Sequence, residues 1–78
     1  MDIDLKQKSI ICLKHLCVID FKGNVYHVVG NKKIKIGSIY FKSKSNLFHV
    51  IKEESIHLPG QVTFEAALNF LLHYQHLE

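Results

Sequence analysis

Apolar residues near the end of the chain recur with a helical period. Between Thr63 and Leu77 they fall at every third or fourth position, at Phe64, Ala67, Leu68, Leu71 and Leu72. This spacing places them on one face of an α-helix. The Thr63 hydroxyl can cap the N-terminus, and Glu65 in the first turn suits the helix dipole. The sequence therefore predicts an amphipathic helix over 63–77, preceded by a chain break at Pro59-Gly60.

Short apolar runs alternate with turn residues in the middle of the chain. The turn residues are Lys22-Gly23-Asn24, Gly30-Asn31 and the run Ser43 to Asn46. Gly, Asn and Ser are favoured in turns because they tolerate left-handed backbone or bond to their own main chain. The apolar runs predict antiparallel strands over Val25–Val29, Lys33–Lys42 and Leu47 to about Lys52.

The second of these strands contains an irregularity. Ile34 and Ile36 have one parity, whereas Ile39 and Phe41 have the other, so a regular strand would divide them between two faces. Gly37-Ser38 between the pairs predicts a β-bulge that returns all four side chains to the core side. The residues left together on the outer face are then Lys33, Lys35, Tyr40 and Lys42.

The N-terminal segment fits two structures. A helix from Asp4 to about Leu16 would bury the apolar side chains of Leu5, Ile10, Leu13 and Leu16. Alternatively, Ile10–Phe21 would form one more, fully buried strand. We favour a short helix that leads into a strand at Cys17–Phe21. The predicted fold is one small two-layer α+β domain over residues 1–78, with the order α-β-β-β-α. It has a three- or four-stranded antiparallel sheet and its helices on one face.

Charge is distributed unevenly along the chain. It has ten lysines, no arginine and a formal net charge of +3, and seven of the lysines lie between Asp20 and Glu53 without a carboxylate among them. Lysines attract anions by charge alone, because they lack the planar fork with which arginine binds carboxylate or phosphate bidentately. The candidate binding residues are those of the second strand and its flanks: Lys32, Lys33, Lys35, Tyr40, Lys42 and Lys44.

Residues that could carry chemistry are few. Cys12, His15 and Cys17 form the densest group of metal-binding types, but a structural zinc site needs four donors, and only His73 and His76 make a second close pair. A cysteine near a histidine in sequence is weak evidence for a catalytic pair. We therefore expect no metal, no cofactor and no catalytic site. No apolar run is long enough to span a membrane, and the cytoplasm is the expected location.

Two families show partial similarity. The order α-β-β-β-α resembles that of double-stranded-RNA-binding domains, but the place of their basic motif reads Val62-Thr63-Phe64-Glu65-Ala66-Ala67, without lysine. Leu58-Pro59-Gly60 followed by Thr63-Phe64-Glu65-Ala66 resembles the turn and helix start of HicB-type antitoxins, although the spacer is shorter and His57 replaces their usual acidic residue. Neither family is assigned.

These observations favour a small non-catalytic interaction protein that binds an acidic partner protein through its lysine-rich sheet face. Phage and mobile elements encode accessory or inhibitor proteins of this size and composition, and the comparison rests on those two properties alone. The alternative is a low-specificity nucleic-acid-binding domain, in which lysines neutralise phosphates and Tyr40 stacks on bases. A homodimer through an edge strand, or through Phe70 and Tyr74 of the last helix, is compatible with either interpretation.

Overall fold

Two helices and five strands form the part of the chain that the structure describes, which in this computed structural model is residues 1–52 and 56–73. The elements in order are α1 (Leu5–Lys14), β1 (Cys17–Ile19), β2 (Asn24–Val29), β3 (Lys32–Lys42), β4 (Leu47–Lys52), β5 (Ile56–Gln61) and α2 (Phe64–His73). The strands form one antiparallel meander in the order β1-β2-β3-β4-β5. The predicted α+β class with a helix at each end is confirmed.

The sheet has five strands and not the predicted three or four. The additional edge strand is β5, which contains the Pro59-Gly60 pair that we expected to break the chain. Its register against β4 shifts between Phe48 and Val50, so a bulge accommodates this pair. Proline is tolerated at a bulge of an edge strand, because its nitrogen need not donate to the ladder.

Both helices pack on the same face of the sheet. Inward-pointing strand residues and residues of both helices form one buried cluster: Cys12, Cys17, Val25, Ile39, Phe48, Val50, Leu58, Phe64, Ala67, Leu68 and Leu71. The opposite face of the sheet is covered by neither helix. No helix within residues 1–52 and 56–73 is long and apolar enough to cross a membrane.

Helix α2 begins as the sequence predicts. Thr63 Oγ1 accepts a hydrogen bond of 3.1 Å from the backbone N–H of Ala66, which satisfies a donor in the first turn. Near the other end, Lys52 Nζ donates to the carbonyl oxygen of Leu71 at 3.3 Å. This bond ties the last turn of α2 to β4. The part of the predicted helix beyond His73 lies outside the described residues.

Helix α1 forms, but its buried side is not the predicted one. Asp4 caps it by accepting a 2.8 Å hydrogen bond from the backbone N–H of Gln7. The residue that α1 buries completely is Cys12. The four apolar residues expected in the core are instead exposed, with accessible fractions of 44% for Leu5, 50% for Ile10, 63% for Leu13 and 69% for Leu16. Apolar residues occur around most of this helix, so periodicity alone did not select the buried face.

Candidate functional site

The sheet face opposite the helices, here called the open face, is built around β3. This strand is the longest in the described structure, with 11 residues, and it pairs with β2 along one half and β4 along the other. Side chains alternate along a strand. Ile39 is buried in the core. Tyr40 and Lys42 lie one and three residues further along β3, so alternation places both of them on the opposite side, the open face.

A β-bulge keeps the lysines of the other half of β3 on the open face. Lys35 and Gly37 oppose consecutive residues of β2, so Ile36 between them is an extra residue that reverses the alternation. Lys33 and Lys35 therefore share the open face with Ser38, Tyr40 and Lys42. The predicted bulge is present, one residue before the predicted position.

The six predicted binding residues do not form one patch. Lys33, Lys35, Tyr40 and Lys42 share the open face. Lys32 pairs with Val29 in the β2–β3 hairpin, and alternation places it on the helix side. Lys44 lies in the turn between β3 and β4. The structure thus brings four of the six residues to one face and leaves two at its ends.

The open-face lysines form two separate groups, Lys33 with Lys35 towards one end of β3 and Lys42 at the other. At about 3.3 Å per residue, Lys33 and Lys42 lie roughly 30 Å apart along β3. This distance exceeds the Debye length of about 8 Å at physiological salt, so each group attracts anions independently of the other. Within residues 1–52 and 56–73 the close contacts between a carboxylate and a basic side chain are Lys8–Asp2 and His15–Glu65, and neither involves an open-face lysine.

Aromatic rings occupy one end of the open face. Tyr40 and His49 lie on adjacent strands with ring centroids 5.7 Å apart and an interplanar angle of 22°, which is a stacked arrangement. Lys42 Nζ lies 5.7 Å from the centroid of the Tyr40 ring, within the range of a cation–π contact. The His49 Nε2 atom is 3.0 Å from Ser45 Oγ. A half-buried ring pair beside a cation can bind an aromatic or acidic group.

His49 is not among the six predicted binding residues, although it lies beside Tyr40, whereas its neighbour Phe48 lies on the other face of the sheet. Phe48 is buried and its ring meets that of Phe64 edge-on, with centroids 5.9 Å apart. Side chains alternate along β4. Phe48 and Val50 point into the core, so His49 between them faces outward. That signal was available in the sequence.

A hydrogen-bonded turn closes the β1–β2 end of the sheet. The Asp20 carboxylate accepts bonds from the backbone N–H groups of Lys22 and Asn24, both at 2.9 Å, and from the Tyr26 hydroxyl at 3.3 Å. Desolvation acts to raise the pKa of Asp20, but the bonds from Asn24, Lys22 and Tyr26 outweigh it and hold the pKa below its usual value. Desolvation and the Asp20 charge raise the pKa of Tyr26. This carboxylate serves the turn and is not a free acid of the open face.

The two thiols are poorly suited to nucleophilic chemistry. Burial, followed by the influence of Cys17, raises the pKa of Cys12 to about 11, and burial also raises the pKa of Cys17. The thiolate is the reactive form, so both groups are weak nucleophiles near neutral pH.

The imidazole of His15 has Glu65 Oε2 at 3.6 Å from its Nε2. No group of three or more His, Cys, Asp or Glu within the described ranges could hold a metal ion.

Comparisons with known protein families, with curated proteins and with solved structures found no match. The similarity to double-stranded-RNA-binding domains rests on the predicted order α-β-β-β-α, which the five-stranded sheet does not reproduce, and the similarity to HicB-type antitoxins rests on short motifs alone.

Proposed function

We propose that this domain is a non-catalytic interaction protein that holds an acidic partner protein on its open face. The observation that carries the proposal is the shared exposure of Lys33, Lys35 and Lys42 on a face that no described helix covers. These lysines have no ion pair with a described carboxylate, so a partner's carboxylates would be their first oppositely charged contacts.

An apolar patch beside Lys42 supports a protein partner. Tyr40, His49 and the partly exposed Ile51 form an aromatic and aliphatic patch with lysines at its ends. Protein interfaces commonly combine an aromatic centre with a polar rim. The length of β3 permits a contact of roughly 30 Å, which is compatible with the roughly 800 Å² per partner of a standard interface.

Charge reversal tests this proposal. Lys33, Lys35 and Lys42 are replaced by Glu, and proteins captured from the native host by the variant and by the wild type are compared by quantitative mass spectrometry. We expect the variant to fold with unchanged circular dichroism and to lose the partner, because like charges on the face repel its acids.

The matched control reverses Lys22, Lys32 and Lys44, which are exposed and lie off the open face. Each reversal changes the charge by two, so both triple variants go from +3 to −3. The control should retain the partner. Equal loss in both variants would show that net charge is recognised and not the open face.

Nucleic-acid binding is a second candidate, and the Tyr40–His49 stack is the observation that favours it. Aromatic rings next to lysines bind single strands by stacking and charge. Fluorescence anisotropy with mixed-sequence duplex DNA, duplex RNA and single strands separates the two candidates. Micromolar binding that weakens steeply with salt, and that Tyr40→Ala reduces, would support nucleic-acid binding. Absence of binding even at low salt would eliminate it.

A further inference from the structure

Large aliphatic side chains and lysines share the side of α1 that points away from the sheet. Lys6, Ile10, Leu13 and Lys14 have the spacing i, i+4, i+7 and i+8, which places them on one helical face. Leu16 follows the C-cap residue, His15. These five residues are here called the α1 outer face. Its three aliphatic residues are each at least half exposed.

The backbone at Leu16 adds an independent observation. Leu16, the second residue after the helix, has a φ of 59°, and its N–H donates to the carbonyl of Leu13 at 3.2 Å. This left-handed position at a helix end is normally occupied by Gly or Asn, because a larger side chain is sterically unfavourable there. Leucine in this position gains little burial within the described structure, since 69% of it is accessible. Contact with another molecule would supply the missing burial.

The charges of the α1 outer face indicate which molecule fits. Helix α1 contains no acidic residue, and Lys6 and Lys14 form no ion pair with a described carboxylate. A second copy of this chain would bring these lysines against identical lysines in either a parallel or an antiparallel pairing. A helix with leucine-type residues along one side and Glu or Asp beside them would satisfy both the apolar and the charged positions.

We propose that the α1 outer face is a second docking surface, which binds an acidic amphipathic helix of a partner protein. A shallow groove lined by Ile3, Gln7, Ile10 and Ile11 adjoins the face and can receive an apolar side chain of that helix. Because α1 packs on the covered side of the sheet, this surface is separate from the open face. It does not depend on the function proposed for the open face.

Amide chemical-shift titration by NMR tests the proposal. The probes are two helix-stabilised synthetic peptides with leucines at i, i+3 and i+7, flanked by Glu in one and by Lys in the other. We expect the Glu peptide to shift the resonances of the α1 outer face and to bind at least about tenfold more tightly than the Lys peptide. Leu13→Gln should weaken its binding by about tenfold. Ile34→Gln, which changes a similarly exposed aliphatic residue on β3, should not.

A charge-reversed variant tests whether Lys6 and Lys14 determine which peptide binds. Reversal of Lys6 and Lys14 to Glu should invert the preference, so that the Lys peptide binds better, while reversal of Lys33, Lys35 and Lys42 should leave binding of the Glu peptide intact. The proposal is overturned if both peptides bind equally or neither binds, or if the shifts map to the open face. It is also overturned if the wild type self-associates and the Leu13→Gln variant does not, because a second copy would then be the occupant. Finally, it is overturned if anionic phosphatidylglycerol vesicles shift the α1 resonances and the Glu peptide does not.

Discussion

Replacing Gly37 by alanine tests the packing that holds the bulge of β3 beneath α2. A Cβ at this position would lie 2.7 Å from Leu71 Cδ1 and closer still to the backbone oxygen of Ile51. The Leu71 side chain can move aside, because its end is flexible. The Ile51 carbonyl belongs to β4, which pairs with β3 directly beside Gly37, and it can move only if the two strands separate locally.

The expected cost follows from these two contacts. Overpacking a filled core typically costs about 1–3 kcal/mol, and we expect about 2–3 kcal/mol here because backbone must shift. A domain of this size has a free energy of unfolding of roughly 4–12 kcal/mol. Gly37→Ala should therefore still fold, with its Tm lowered by about 10–20 °C.

Urea and thermal denaturation followed by circular dichroism measure this cost. The matched control is Gly30→Asn, because Gly30 has a φ of +60°, which asparagine tolerates, and nothing lies within 4 Å of its Cβ position. The control should remain within about 0.5 kcal/mol of the wild type. Combining Gly37→Ala with Leu71→Ala should cost less than the sum of the two changes, because one of the two clashes is removed. A Gly37→Ala protein as stable as the control would refute the packing described here.

Three further predictions concern a cap, a turn and the thiols. Thr63→Ala should lower the free energy of unfolding by about 1 kcal/mol in urea denaturation, and Thr63→Ser by much less, because serine keeps the capping oxygen. The lowered pKa of Asp20 means that its carboxylate stabilises the fold above the unfolded pKa of about 3.9, and that this contribution is lost as pH falls through the lower folded pKa. The stability gap between wild type and Asp20→Asn should therefore shrink between about pH 7 and about pH 2, and a constant gap would contradict the hydrogen-bonded turn. Cys12 and Cys17 should react slowly with a chromogenic disulfide reagent in the folded protein and rapidly in urea, and rapid reaction of both without denaturant would contradict their burial.

Where local chemistry is unambiguous, the sequence predicts this structure well. Four of the five residues in the predicted α2 stripe are buried and Thr63 caps the helix, so the start of α2 and its described part to His73 agree with the prediction. The parity change between Ile36 and Ile39 has one economical solution, a bulge, and the structure has it. In each case a single pattern leaves one low-energy arrangement.

Where two arrangements have similar local cost, tertiary contacts decide. Helix α1 could bury either its leucines or the side that carries Cys12, and the latter packs against β1. Pro59-Gly60 is compatible both with a chain break and with a bulged edge strand, and only the pairing with β4 distinguishes them. Alternation along β3 was enough to predict a lysine-rich face. The division of its lysines into two groups depends on the length of β3, which is set by where the neighbouring strands end.

The length of β3 also constrains what the open face can recognise. A small anion could neutralise Lys33 and Lys35, or Lys42 beside Tyr40, but it could not contact both groups across roughly 30 Å. Recognition by the whole face therefore requires an extended acidic surface, and each lysine group should contribute separately to its affinity because salt screens one group from the other. The α1 outer face, on the far side of a molecule 18 Å thick along its shortest axis, is accessible at the same time. Under the two proposals, the domain would hold two acidic elements on opposite sides.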